Sequence, residues 1–288
     1  MATVCGRSAW WGVLVGGAVL ASLVLAGCFR SSATPLTIFL SPKPGSASPA
    51  TTTPAATTPA PARTGSKPGS KPVIGSLFVS RSAPDGSWTA TINTPVIRGI
   101  PDAAAAEIND AVIAKVDSFI QAFAGSGLPA VASGGKPSTL EGDYSVALDS
   151  PTILSLRFTL TSTVSGATRP VEPGSINFDV PSGSTIALAD IFTDPTAALS
   201  TLSTQAYRAL SASLGSSLTW SGKATSMTFF EKAWAMVATT SGTPAGLEFT
   251  WAQGDIAGQS AGAPSVILPW ASISSIIKPG GPAGGFLH

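Results

Sequence analysis

Between residues 154 and 161 the chain alternates apolar and polar side chains through four periods, Leu154-Ser155-Leu156-Arg157-Phe158-Thr159-Leu160-Thr161. Successive side chains of a strand point to opposite faces, so Leu154, Leu156, Phe158 and Leu160 are predicted to line the buried face of a β-strand. Tyr144/Val146/Leu148 and Ile176/Phe178/Val180 repeat the pattern on either side. Shorter runs predict strands over 77–82, 88–97, 233–239, 247–251 and 266–268. Short polar turns rather than helical crossovers join the middle strands, so an antiparallel sheet is expected.

Two stretches change period. From Asp102 to Ala124, after Pro101 and before Gly125, the apolar positions Ile108, Val112, Val116, Phe119, Ile120 and Phe123 follow helical spacing. From Asp194 to Leu214 the stripe is Leu199, Leu202, Ala206, Leu210 and Leu214, opened by Asp194-Pro195 and stopped at Gly215. A short third helix is predicted from Trp270 to Ile277, before Lys278-Pro279-Gly280. Long helices set between runs of strands imply an α+β fold with antiparallel sheets, organised as two subdomains (76–192 and 193–288) in one compact body.

The charge is unevenly placed. Of the 288 residues, 16 are Lys or Arg and 15 are Asp or Glu, but no acid precedes Asp85. Residues 76–288 carry ten basic and fifteen acidic side chains, a net charge of −5. Such a body has no basic stripe to neutralise phosphates, so no nucleic-acid partner is expected.

Ser8 to Gly27 is a run of 20 residues without a charge, flanked by Arg7 and Arg30. That length would span a bilayer as a helix and also suits a signal segment. Its end, Leu25-Ala26-Gly27-Cys28, resembles the lipobox of bacterial lipoproteins at all four positions. The resemblance implies a signal peptide over 1–27, acylation of the Cys28 thiol, and a mature protein held on the outer side of the cell membrane by its lipid. The alternative, an uncleaved membrane helix, places the body on the same side. Cys5, the other cysteine, lies inside the segment to be removed, so neither disulfide nor cysteine chemistry is expected in the body.

Residues 28–75 read as a tether. The stretch 29–75 holds nine of the 24 prolines among Ser, Thr, Ala and Gly, a composition too poor in apolar surface to offset ordering entropy. A flexible chain of that length reaches roughly 35 to 40 Å.

The order of elements resembles the RsiV-type extracellular domain family, paired domains of unknown function shared with secreted mycobacterial immunogenic proteins. The residues that carry the resemblance are Thr91-Ile92-Asn93-Thr94-Pro95-Val96-Ile97, Ala106-Glu107-Ile108-Asn109, Gly166-Ala167-Thr168-Arg169-Pro170, Ile176-Asn177-Phe178-Asp179 and Ile186-Ala187-Leu188-Ala189-Asp190-Ile191-Phe192. A closing segment, Ala261-Gly262-Ala263-Pro264-Ser265-Val266-Ile267-Leu268-Pro269, extends it. Arg169 departs from the family's usual histidine, and Gln253-Gly254-Asp255 replaces a more aromatic run. What the resemblance implies is an exported binding domain, with lysozyme as the partner of the anti-sigma member. The sigma-binding role is not carried over.

Catalytic chemistry has one candidate. Gly258-Gln259-Ser260-Ala261-Gly262 matches the G-x-S-x-G pattern of an esterase nucleophile elbow. Such enzymes place an acid and then a histidine after the serine, yet no acid follows Asp255 and the sole histidine is the terminal His288. Asp143, Asp149, Asp179 and Asp190 are the candidates for a calcium site built of carboxylates alone, but they lack the dense spacing of a calcium loop, and no metal or other cofactor is expected. Asp179 reads as a residue of a solvated strand face or as a turn cap, Asp190 as a cap of the turn before Phe192, and Trp88, Trp220, Trp234, Trp251 and Trp270 more as core than as sugar-stacking platforms.

The leading expectation is therefore a non-enzymatic lipid-anchored surface domain that binds a protein or cell-wall ligand, a lysozyme-like cationic protein being the sharpest version. Opposite charge would steer that encounter. Trp251 and Asp255, in the loop from Trp251 to Gly262, are the expected contact residues. A cell-wall esterase acting through Ser260 and a structural or antigenic surface lipoprotein are the alternatives, and a cell-wall glycan is an alternative partner.

Overall fold

The computed structural model describes residues 69–129, 135–170, 173–220 and 226–287. The signal segment, Cys28, nearly all of the tether and His288 lie outside the described residues. Among the described residues no helix is long and apolar enough to cross a membrane.

Strands β1 (Val73–Ser82) and β2 (Trp88–Arg98) pair antiparallel along their whole length. Helix α1 (Asp102–Ala124) follows, and buries Ile108, Val112, Val116 and Ile120, one residue per turn. Asn109 fastens this helix to β2 by accepting from the Ile97 amide (2.8 Å) and donating to the Ile97 carbonyl (3.0 Å). The chain then returns as β3 (Ser138–Asp149), parallel to β2 from Trp88↔Ser138 to Ile92↔Gly142. This corrects the expectation of an antiparallel sheet throughout. Alpha-helix α1 is itself a crossover, and its 23 residues span about 35 Å, enough to carry the chain back to the end where β2 began.

The remaining strands of this sheet, β4 (Ile153–Val164), β5 (Ala167–Pro170) and β6 (Gly174–Asp179), are antiparallel to their neighbours. The β4–β5 turn is two residues long, Ser165 (φ 52°) and Gly166 (φ 80°), the pair of positive φ angles that matches strand twist in a tight hairpin. Leu154, Leu156, Phe158 and Leu160 are buried under α1, as their alternation predicts.

A β-bulge alters the reading of β3. Val146 faces Leu156, but the next pair is Leu148↔Ser155, which leaves Ala147 as the extra residue. The bulge turns Leu148 to the opposite face, so Tyr144, Val146 and Leu148 do not share one. Leu148 and Ile153 thereby join a second core with Leu188, Ile191 and Phe192.

That second core belongs to the C-terminal half. Helix α2 (Pro195–Leu214) is capped by Asp194, whose carboxylate accepts from the amides of Thr196 (2.9 Å) and Ala197 (3.1 Å). It buries Ala198, Leu202, Ala206 and Leu210. Helix α3 (Met227–Glu231) leads into an antiparallel sheet of β7 (Trp234–Ala238), β8 (Pro244–Thr250) and β9 (Ser265–Pro269). Short helix α4 (Trp270–Ile273) closes the core with Trp270 and Ile273. The α+β class holds, with two sheets and two long helices among the described residues.

The sheets are joined by polar side chains. Asn177, 2% exposed, accepts from Ser155 Oγ (2.6 Å) and from the Met236 amide (3.3 Å), and donates to the Trp234 carbonyl (3.0 Å). Ser175 Oγ donates to the same carbonyl (2.6 Å). The side chains of β6 thus act as a ladder toward the edge of β7, satisfying main-chain groups that burial would otherwise penalise.

Candidate functional site

The strand register determines which side chains of the first sheet face away from α1. Phe78 on β1 stands opposite Asn93 on β2, Asn93 Nδ2 donates to Asp143 Oδ1 on β3 (2.9 Å), and Asp143 stands opposite Thr159 on β4. The neighbouring row runs Ser80, Thr91, Glu141 and Thr161 across the same four strands. Phe78 is 68% exposed, and Ser80, Thr91, Glu141, Asp143 and Thr159 are exposed with it. The face is polar and acidic around one bare aromatic ring.

Toward β6 the same face runs under the second sheet and forms a cleft of ≈ 350 Å³. Arg157 stands between Ser145 and Ser175 on the floor of this cleft. Its Nη1 donates to Glu248 Oε2 on β8, an ion pair that crosses from one sheet to the other. The Glu248 side chain is 9% exposed, whereas the Arg157 side chain keeps 38% of its surface. Arg157 Nε is buried and has no hydrogen-bond partner. Thr159 and Thr250 add hydroxyls to the walls. The arrangement offers donors and acceptors side by side around a pair whose charges cancel.

The loop after β8 behaves differently from expectation. Trp251 is 1% exposed and cannot meet a ligand as an exposed contact. Its ring packs at 5.6 Å from Trp220, 5.6 Å from Phe229 and 6.0 Å from Phe230. The physical reason is local: the Trp251 amide donates to the Pro264 carbonyl (2.9 Å), extending the β8–β9 pairing by one step and turning the ring into the second core. Asp255 stays partly exposed, with Oδ2 3.8 Å from Lys232 Nζ. Ser260 lies on an exposed single turn, Gln259–Ala261, preceded by loop and followed by Gly262 at φ 69°. This is not the strand-to-helix elbow that would present a nucleophile, and no histidine lies among the described residues.

The other acids act on local backbone or on neighbouring charges. Asp179 accepts from the Ser182 amide (3.1 Å) and hydroxyl (2.5 Å), and Asp190 from the Ala187 amide (3.1 Å), both as turn caps. Asp149 pairs with Lys71 at 2.9 Å, which draws the end of the tether onto the body. Among the described residues no three metal-ligating side chains cluster closely enough to hold an ion. Trp234 and Trp270 are buried with Trp251, while Trp88 and Trp220 are partly buried.

Sequence reasoning missed Arg157, Glu248 and Asn177 as a group. Their signal was present, since Arg157 and Glu248 are single opposite charges inside apolar runs, Leu156-Arg157-Phe158 and Leu247-Glu248-Phe249. Nothing in the spacing tells that the two strands face each other.

Residues 189–271, from just before α2 to the first turn of α4, match the family described as DUF3298, protein of unknown function. Similar solved structures include a DUF3298 family protein from Pseudomonas aeruginosa PAO1, at 14% identity and a TM-score of 0.49, covering 72% of this chain and 94% of that one. Another is a member of the same family from Bacteroides fragilis NCTC 9343, also at 14% identity and a TM-score of 0.49, covering 76% of this chain and 98% of that one. No curated protein matches the chain.

Proposed function

We propose that the protein is an exported domain, anchored to the outer side of the membrane through a lipid on Cys28, that binds a lysozyme-like cationic protein on the open face of its first sheet. The observation that carries this reading is the exposed ring of Phe78 in a row with Asn93 and Asp143, beside Glu141. Binding hot spots are commonly aromatic anchors ringed by polar residues that exclude water. Two carboxylates on this face and a body charge of −5 would speed the approach of a positive partner.

The face takes over the contact role that the sequence alone assigned to Trp251. In a surface-binding experiment with lysozyme and the full chain in detergent, Phe78→Ala should shorten the complex lifetime about tenfold or more. Glu141→Gln with Asp143→Asn should lower the association rate and its salt dependence, and Lys136→Ala should change neither. Wild-type kinetics in the face variants would reject this docking surface. Complete failure to bind would leave a structural or antigenic surface lipoprotein.

The anchor has its own test. Cys28→Ser should release the protein from the membrane fraction or leave it unprocessed at higher mass. Unchanged detergent partitioning and unchanged mass would contradict lipidation.

A further inference from the structure

The cleft between the sheets has a chemistry distinct from that of the docking face. We propose that it is a binding site for a neutral oligosaccharide, whose adjacent hydroxyl groups are held by Glu248 and Arg157 together. Glu248, whose side chain is 9% exposed, stands at the wall of an open cleft, and Arg157 is the one side chain among the described residues shown bonded to it. An ionised carboxylate can accept about four hydrogen bonds, and a guanidinium has five N–H donors. The structure fills one of each, and leaves Arg157 Nε without an acceptor. A buried donor such as this Nε is rarely left without a partner, while the other N–H groups of Arg157, on a side chain 38% exposed, stay open to a ligand in the cleft.

The ligand class follows from three features of the cleft. First, the ion pair brings no net charge, so a strongly charged ligand gains little from it. Second, β4 and β8 are both interior strands whose main-chain groups are committed to neighbours on either side. A peptide cannot add as an extra strand to β4 or β8, so at the Arg157–Glu248 pair itself recognition comes from side chains. Third, the other polar side chains offered, Ser145, Thr159, Ser175, Thr250 and Ser265, are hydroxyls that both donate and accept. A sugar diol has the same dual character, and ≈ 350 Å³ falls in the range of small-molecule sites. Phe158 and Trp234 border the cleft but are 1% and 5% exposed, so hydrogen bonding rather than ring stacking holds the ligand.

The trimer of N-acetylglucosamine is the probe, titrated calorimetrically into the full chain in a detergent without a sugar headgroup. Saturable binding is expected. Glu248→Gln, which keeps the shape but removes the charge, should weaken it about tenfold, the effect of losing one charge-assisted hydrogen bond. Ser145→Tyr tests the cleft without disturbing a core, since Ser145 is exposed at its edge, and should abolish binding. Phe78→Ala should leave the sugar titration unchanged, which separates this site from the protein-docking face. Absence of saturable binding by the trimer, or binding that Ser145→Tyr leaves intact, would overturn the assignment.

Discussion

Trp251→Ala is expected to lower the stability of the folded protein by about 4 kcal/mol, the usual cost of deleting a large aromatic side chain from a packed core. The ring is 1% exposed and has Trp220, Phe229, Phe230 and Phe249 within ring-contact distance. Collapse of these large, mutually braced rings into the vacated space is limited, so most of the cavity should persist. Urea denaturation of wild type and variant measures the difference. A loss below about 1 kcal/mol would mean that the ring is not part of a tight core.

The second large effect is at the seam. Asn177→Ala should cost about 3 kcal/mol, because it leaves the Met236 amide, one acceptor site of the Trp234 carbonyl and the Ser155 hydroxyl without this partner in a buried setting. Asn93→Ala is the comparison. It removes one hydrogen bond to Asp143 on the open face, where water replaces it, and should cost less than about 1 kcal/mol. If both variants lose the same small amount, the two sheets are held by apolar contact alone, and the side-chain ladder from β6 is incidental.

These two residues also show what could and could not be read from the chain. Periodicity identified the strand Leu154 to Leu160 and both long helices, because burial on one face imposes a period that survives in a single sequence. The α1 boundaries, Asp102 and Ala124, agree with the reading because Pro101 and Gly125 mark them chemically. Pairing direction was less legible. The parallel β2–β3 contact depends on where a 23-residue helix returns the chain, which local composition does not encode. The bulge at Ala147 was invisible for a similar reason: one inserted residue moves Leu148 to the other core without changing the apolar pattern.

For the site, the same limits apply more strongly. Trp251 looked available because it ends a strand beside an acidic loop, but its ring direction is set by the Pro264 carbonyl across the sheet. Phe78 passed unnoticed since Leu77-Phe78-Val79 reads as a uniform apolar run. Only the pairing with Asn93 shows that Phe78 lies on the face opposite α1. Arg157 and Glu248 meet across 91 residues of sequence, a separation at which only the folded chain brings charges together.

The claim that the open face recognises a particular cationic protein is tested most directly by dissociation kinetics. Lysozyme and an unrelated basic protein of similar charge are passed over the immobilised full chain as salt is raised from about 50 to 500 mM, a range over which screening of exposed charges becomes nearly complete. The account predicts that both association rates fall with salt, while lysozyme alone keeps a slow dissociation that salt changes little, because a desolvated aromatic anchor governs residence. Equal, rapid dissociation of the two proteins at every salt concentration would contradict it.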